Sequence, residues 1–166
     1  MTTPFKKAFE EIIGIEGEYV NDPTDRGGET KYGISKRSYP QLNIKSLTLE
    51  GAKNIYYNDY WFVLKLDYID NYKIQAELFD TAVNMGVYKA QTILQDALNL
   101  MNRNQKNYKD LIVDGVIGNK TIQAYNKVDK DILFKVLNGL QFMNYVRICE
   151  RDKTQERFFN GWMKRV

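Results

Sequence analysis

Residues 4–34 read PFKKAFEEIIGIEGEYVNDPTDRGGETKYGI, and the change of character midway through this stretch decides how the chain is read. Pro4 suits the first turn of a helix, where its missing N–H is not needed. Phe5, Phe9, Ile12, Ile13 and Glu16 fall at i, i+4, i+7, i+8 and i+11, which places them on one face of a helix over residues 4–16. Gly17 is the expected stop. Beyond it, Asn21, Asp22, Pro23, Asp25, Gly27, Gly28 and Gly33 crowd turn-forming residues into a short span. Short β segments fit around Tyr19-Val20 and Tyr32-Gly33-Ile34, so a small loop or hairpin follows the helix.

Glu16 is the residue in this stretch with the most chemistry to offer. It shares its helical face with Ile12 and Ile13, so it points toward apolar surroundings. In the last turn it also meets the negative end of the helix dipole. Both effects favour the protonated carboxyl, which is what a general acid needs near neutral pH. A glutamate snorkelling at a helix end explains the position equally simply. The loop that follows supplies Asp22 and Asp25, and glycosidic chemistry pairs an acid with a second carboxylate. Turn chemistry accounts well for Asp22 and less fully for Asp25.

Composition narrows the chemistry. There is no histidine, which excludes Ser-His-Asp and Cys-His catalysis and any His-ligated zinc site, and leaves carboxylates as the acid-base groups. The net charge of +3 comes from 24 basic and 21 acidic residues with no Lys/Arg stripe, so nucleic acid is not an expected partner. Cys149 is the one cysteine, so no intrachain disulfide can form, as in a protein folded in a reducing cytosol. Twelve tyrosines fit either a sugar cleft lined with rings or a Tyr-rich core. Met1 to Ile15 has no signal-peptide core, and no stretch approaches a membrane span. The expectation is synthesis in the cytoplasm without a signal peptide, no membrane insertion, and release by a holin-type or other secretion system.

The rest of the chain reads as helices. One is expected over 48–63, with Thr48 as N-cap, and others over 73–85, 89–101 and 119–126. The last strong helix spans 130–150, with Leu133, Val136, Leu137, Leu140, Met143 and Val146 as its apolar stripe. The tail with Phe158, Phe159 and Trp162 is expected to dock. Asp80 and Asn84 sit one turn apart on an otherwise apolar helix. They suit the floor of a sugar cleft, or a cross-link between helices, the preferred reading. Asp114 to Gly118 lacks the repeated ligands of a calcium loop, so no metal and no cofactor are expected. Trp61 and Trp162 read as core anchors before they read as sugar platforms.

The run Glu16 to Pro23, followed by Asp25, Gly27-Gly28, Thr30 and Tyr32-Gly33-Ile34, resembles the opening motif of glycoside hydrolase family 108. The similarity continues through Ala52, Ile55-Tyr56, Tyr60-Trp61, Leu78-Phe79-Asp80, Ala82, Asn84 and Gly86. Asp114-Gly115, Ile117-Gly118, Thr121 and the closing Gly161-Trp162 with Arg165 resemble the peptidoglycan-binding segment that accompanies that family. One departure is Glu18, where the family usually has a second glycine.

The resemblance implies a mainly α, lysozyme-like fold with a small β-hairpin excursion near the N-terminus. It implies a catalytic region over 1–95 and a peptidoglycan-binding-like helical region over 96–166, packed as one unit. The implied partner is bacterial peptidoglycan, and the implied activity is N-acetylmuramidase with Glu16 as the acid. The spacing is also similar to phage-type lysozymes, in which an Asp and a Thr flank the attacking water. Asp25 lies 9 positions after Glu16 and Thr30 lies 5 after Asp25, giving the catalytic set Glu16, Asp25 and Thr30. Tyr32, Asp80 and Asn84 are the candidate substrate-binding residues. The alternative is a catalytically silent peptidoglycan-binding or secretion-accessory protein on the same fold. Inversion or retention, and the oligomeric state, stay open.

Overall fold

The structure is a computed structural model that describes residues 1–14, 19–21 and 28–166. Its contacts group the chain into two units, Met1–Phe62 and Val63–Val166. Among the described residues no helix is long and apolar enough to cross a membrane.

The first unit opens with α1, Thr3–Ile12, with Pro4 in its first turn as expected. The helix is shorter than the 4–16 read from the periodicity. Gly14 takes φ +80°, and the N–H groups of Ile13 and Gly14 both donate to the Phe9 carbonyl, which closes the helix. A glycine in the left-handed region is the commonest helix terminator, and it acts here one turn before Gly17. Phe5, Ala8 and Phe9 form the buried face of α1. Phe5 meets Trp61 edge-on at 5.5 Å, and Phe9 meets Tyr56 edge-on at 5.6 Å. Trp61 is fully buried, so it is a core anchor rather than a sugar platform.

These partners come from α2, Leu49–Tyr56, which runs into a π-helical segment, Tyr57–Phe62. Thr48 caps α2 by accepting from the Gly51 N–H at 3.1 Å. Between α1 and α2 lies a two-stranded antiparallel hairpin. β1 is Thr30–Lys31 and β2 is Ile34–Ser35, with Thr30 opposite Ser35 and Lys31 opposite Ile34. The turn residues Tyr32 and Gly33 both have positive φ, 52° and 74°. That is the primed turn whose twist matches the strands it joins. The Tyr56 hydroxyl donates to the Tyr32 carbonyl at 3.1 Å.

The second unit is helical. Its α3, Tyr72–Met85, starts at Asn71, whose side chain accepts from the Ile74 N–H. α4, Val87–Leu100, follows after Gly86. α5 is Asn119–Tyr125, α6 is Lys130–Arg151 and α7 is Glu156–Trp162. α6 packs on α3 and α4.

The buried line of α6 is Leu133, Leu137, Gln141, Tyr145 and Cys149. The expected stripe through Val136, Leu140, Met143 and Val146 is therefore corrected by a rotation of the helix. Met143 is 43% exposed, whereas Gln141 is fully buried. Gln141 turns inward because its amide has partners there, Thr81 Oγ1 at 3.1 Å and Asp80 Oδ2 at 3.4 Å. A polarity pattern cannot show such a satisfied polar line.

A Cβ on Gly33 would sit 2.6 Å from the Tyr56 hydroxyl oxygen, in addition to the strain of positive φ. Gly33→Ala is expected to destabilise the protein by about 2 kcal/mol in urea unfolding. Adding Tyr56→Phe to that variant should recover the contact part of the loss and leave the backbone strain. A loss below about 0.5 kcal/mol for the single variant would show that the turn re-forms without either constraint.

Candidate functional site

Glu16, Asp22 and Asp25 lie outside the described residues. Within the described residues α1 ends at Ile12, four positions before Glu16.

Thr30 opens β1. Its backbone N–H donates to the Val20 carbonyl at 2.8 Å, and the Val20 N–H donates back at 2.9 Å. Its hydroxyl donates to the Gly28 carbonyl at 3.3 Å. Thr30 thus ties the end of the glycine-rich segment to the hairpin. Tyr32 follows in the turn, half-buried, with the Lys31 ammonium 5.5 Å from its ring centroid. Thr30 and Tyr32 are brought together by one short hairpin, held from beneath by Tyr56.

Asp80 and Asn84 belong to the second unit. The Asn84 amide donates to the Asp80 carbonyl at 2.8 Å and to its carboxylate at 3.1 Å. Arg165 Nη1 lies 2.6 Å from the same carboxylate oxygen, and Gln141 reaches the other at 3.4 Å. Both Asp80 oxygens are engaged, so its carboxylate ties α3 to α6 and to the C-terminal segment. Burial raises its proton affinity above the ordinary carboxylate range, and Arg165, Gln141 and Asn84 work against that rise.

Sequence reasoning missed Glu77, one turn before Asp80 on α3 and 7% exposed. Burial pushes its carboxyl up to about 7, with repulsion from Asp80 adding to the rise and a Thr81 hydrogen bond opposing it. Glu77 Oε1, Gln141 Oε1 and the Tyr145 hydroxyl are buried without a hydrogen-bond partner. The available signal was a glutamate set among Ile74, Leu78, Ala82 and other apolar residues of α3.

Residues 9–86 match the family Glycosyl hydrolase 108, and residues 89–166 match the Predicted Peptidoglycan domain. The first half of the chain thus carries the Glycosyl hydrolase 108 match and the second half the Predicted Peptidoglycan domain. A solved structure titled "Structure of Brucella abortus SagA" is similar to it with a TM-score of 0.73 and 27% identity, over 97% of this chain and 88% of that one. A comparison with curated proteins found no match. The mainly helical, lysozyme-like fold with its small N-terminal β excursion stands as expected. At the level the family supports, the protein is a peptidoglycan hydrolase.

Glu77 has a consequence for stability. Its folded-state proton affinity is above the ordinary value of 4.5, so the protonated form favours folding. The contribution is fully present below pH 4.5 and is lost as pH rises toward and through about 7. Denaturant unfolding at pH 5 and pH 8, followed by far-ultraviolet circular dichroism, should show a stability decline of roughly 2–3 kcal/mol for the parent. Glu77→Gln should flatten that decline. An unchanged slope would place the titration elsewhere.

Proposed function

We propose that the protein is a lysozyme-type N-acetylmuramidase that hydrolyses the β-1,4 bond between N-acetylmuramic acid and N-acetylglucosamine. The observation that carries this reading is the match to Glycosyl hydrolase 108 over residues 9–86 joined to the Predicted Peptidoglycan domain over 89–166. In this reading Glu16 protonates the leaving oxygen. Asp25 and Thr30 hold and activate the attacking water. Tyr32 contacts the sugar, whereas Asp80 and Asn84, engaged with each other and with Arg165 and Gln141, take the helix cross-linking role. The absence of histidine from the sequence supports carboxylate chemistry. The hydroxyl of Thr30 donates to the Gly28 carbonyl at 3.3 Å, which fixes Thr30 at the start of the hairpin. Delivery to the wall by a holin-type or other secretion route belongs to the same reading.

The test is turbidity loss of purified cell walls together with mass analysis of the released muropeptides, which reports both activity and bond. Glu16→Gln keeps the shape but cannot donate a proton, and should lose at least ~10²-fold in rate with its circular dichroism unchanged. Activity within a few-fold of the parent would remove Glu16 from the role. Asp25→Asn should damage turnover more than Asp22→Asn under the same conditions. Asparagine preserves turn geometry at both positions, so the comparison isolates charge. A parent protein that binds walls and releases nothing would favour a silent binding role.

A further inference from the structure

Between the end of α3, the start of α4, α6 and α7 lies a cavity of about 450 Å³, within the range that holds small ligands. Lys89, Arg147 and Arg151 all line it. Arg147 and Arg151 are four apart on α6 and therefore share a face. Among the described residues, none of these three cations has a carboxylate within ion-pair distance. The nearby Asp80 is already neutralised by Arg165. Glu150, the acidic neighbour on α6, lines a different hollow with Lys153 and Glu156. The cavity is therefore lined by three uncompensated positive charges.

Two asparagines extend the chemistry. Asn84 and Asn144 also line the cavity. The Asn84 amide nitrogen is committed to Asp80, and that of Asn144 donates to the Leu140 carbonyl at 2.9 Å. This leaves each side-chain carbonyl to accept from a ligand N–H. Trp162 and Tyr145, stacked at 4.9 Å, complete the wall. Tyr145 is 2% exposed, and its hydroxyl has no partner. Guanidinium groups match carboxylates, and carbonyl acceptors match peptide N–H groups.

We propose that this cavity binds the carboxylate-bearing peptide stems of peptidoglycan. The proposal rests on the peptidoglycan reading and names the part of the polymer that this half of the chain holds. In peptide-substituted strands the lactyl carboxyl of muramic acid is consumed by the amide to the first residue. The free carboxylates are then those of the stem, and its backbone supplies the N–H groups.

The experiment is calorimetric or NMR titration of the full chain with a synthetic stem tetrapeptide. Its parallel arms are the same peptide with every carboxylate amidated, free N-acetylmuramic acid, a chito-oligosaccharide and a glycerol phosphate polymer. The tetrapeptide should bind saturably, at least ~10-fold more tightly than its amidated form, and more weakly as salt is raised. Arg147→Ala with Arg151→Ala should weaken binding at least ~10-fold, while Lys106→Ala with Lys135→Ala, an equal charge change at exposed positions away from the cavity, should not. Equal binding of the amidated peptide, or unaltered binding by the Arg147/Arg151 variant, overturns the proposal. So does preferential binding of free N-acetylmuramic acid, the chito-oligosaccharide or the phosphate polymer. The ligand comparison uses the unaltered protein, so it does not depend on a variant folding. The tetrapeptide contains no glycosidic bond, so its binding is independent of wall hydrolysis, and either result can fail without the other.

Discussion

A carboxylate taken out of water must be compensated, and the compensation of Asp80 organises the second unit. Asp80 is 8% exposed on α3. Its partners come from far along the chain: Gln141 is 61 positions away on α6, and Arg165 is 85 positions away near the C-terminus. One charged atom pair therefore closes a loop of 85 positions and ties the last residues to α3. The pair is not simply a gain in stability, because Asp80 gives up most of its hydration while the Arg165 side chain stays 37% exposed, and that desolvation cost offsets part of their attraction. Its effect is selective. Any arrangement of α3, α6 and the tail that leaves Asp80 unpaired is penalised, so the network favours one packing over others.

Glu77 shows the limit of that compensation. Two carboxylates one helical turn apart cannot both ionise cheaply when buried, and Arg165 serves Asp80. Glu77 therefore holds its proton to near neutrality, and as a neutral acid it has an O–H to donate. The same cluster contains buried acceptors without partners, Gln141 Oε1 and the Tyr145 hydroxyl oxygen. A protonated Glu77 costs this cluster less than an ionised one on both counts. Tyr145 also lines the cation-rich cavity, so the buried acids and the cavity share a wall.

What the sequence made legible follows from which interactions are local. The Thr48 cap and the apolar face of α1 depend on neighbours within a few positions, and sequence spacing reports them, whereas Tyr32-Gly33, expected within a β segment, forms the turn itself, and Asn71 went unread as the cap of α3. Gly14 was overlooked as the stop of α1 because the apolar spacing runs through it to Glu16. The face of α6 was misjudged for a different reason. Gln141 is buried because Thr81 and Asp80 sit opposite it, and nothing near residue 141 carries that information. Glu77 and Arg165 were missed in the same way, since their roles exist only once distant elements meet. Thr30 and Tyr32 were singled out on a motif, and the hairpin that relates them is short.

A hydrolase working on an insoluble polymer must solve a problem that a small substrate does not pose. Contacts to parts of the substrate that do not react bind ground state and transition state alike, so they raise occupancy without speeding the bond-breaking step. For a muramidase the stems are such parts, since they branch from the glycan and carry no scissile glycosidic bond. Under the proposed function, holding a stem raises the effective concentration of neighbouring glycan, provided the grip is weak enough to release between cuts. Exposed, unpaired cations such as Arg147 and Arg151 are suited to that weak grip in a way that Arg165, held 2.6 Å from a buried carboxylate, is not. The second unit thus uses the same charge types in two manners. One set is paired with a buried carboxylate and fixes the fold, and the other is unpaired and wet, so that it can bind an anionic chain and let it go.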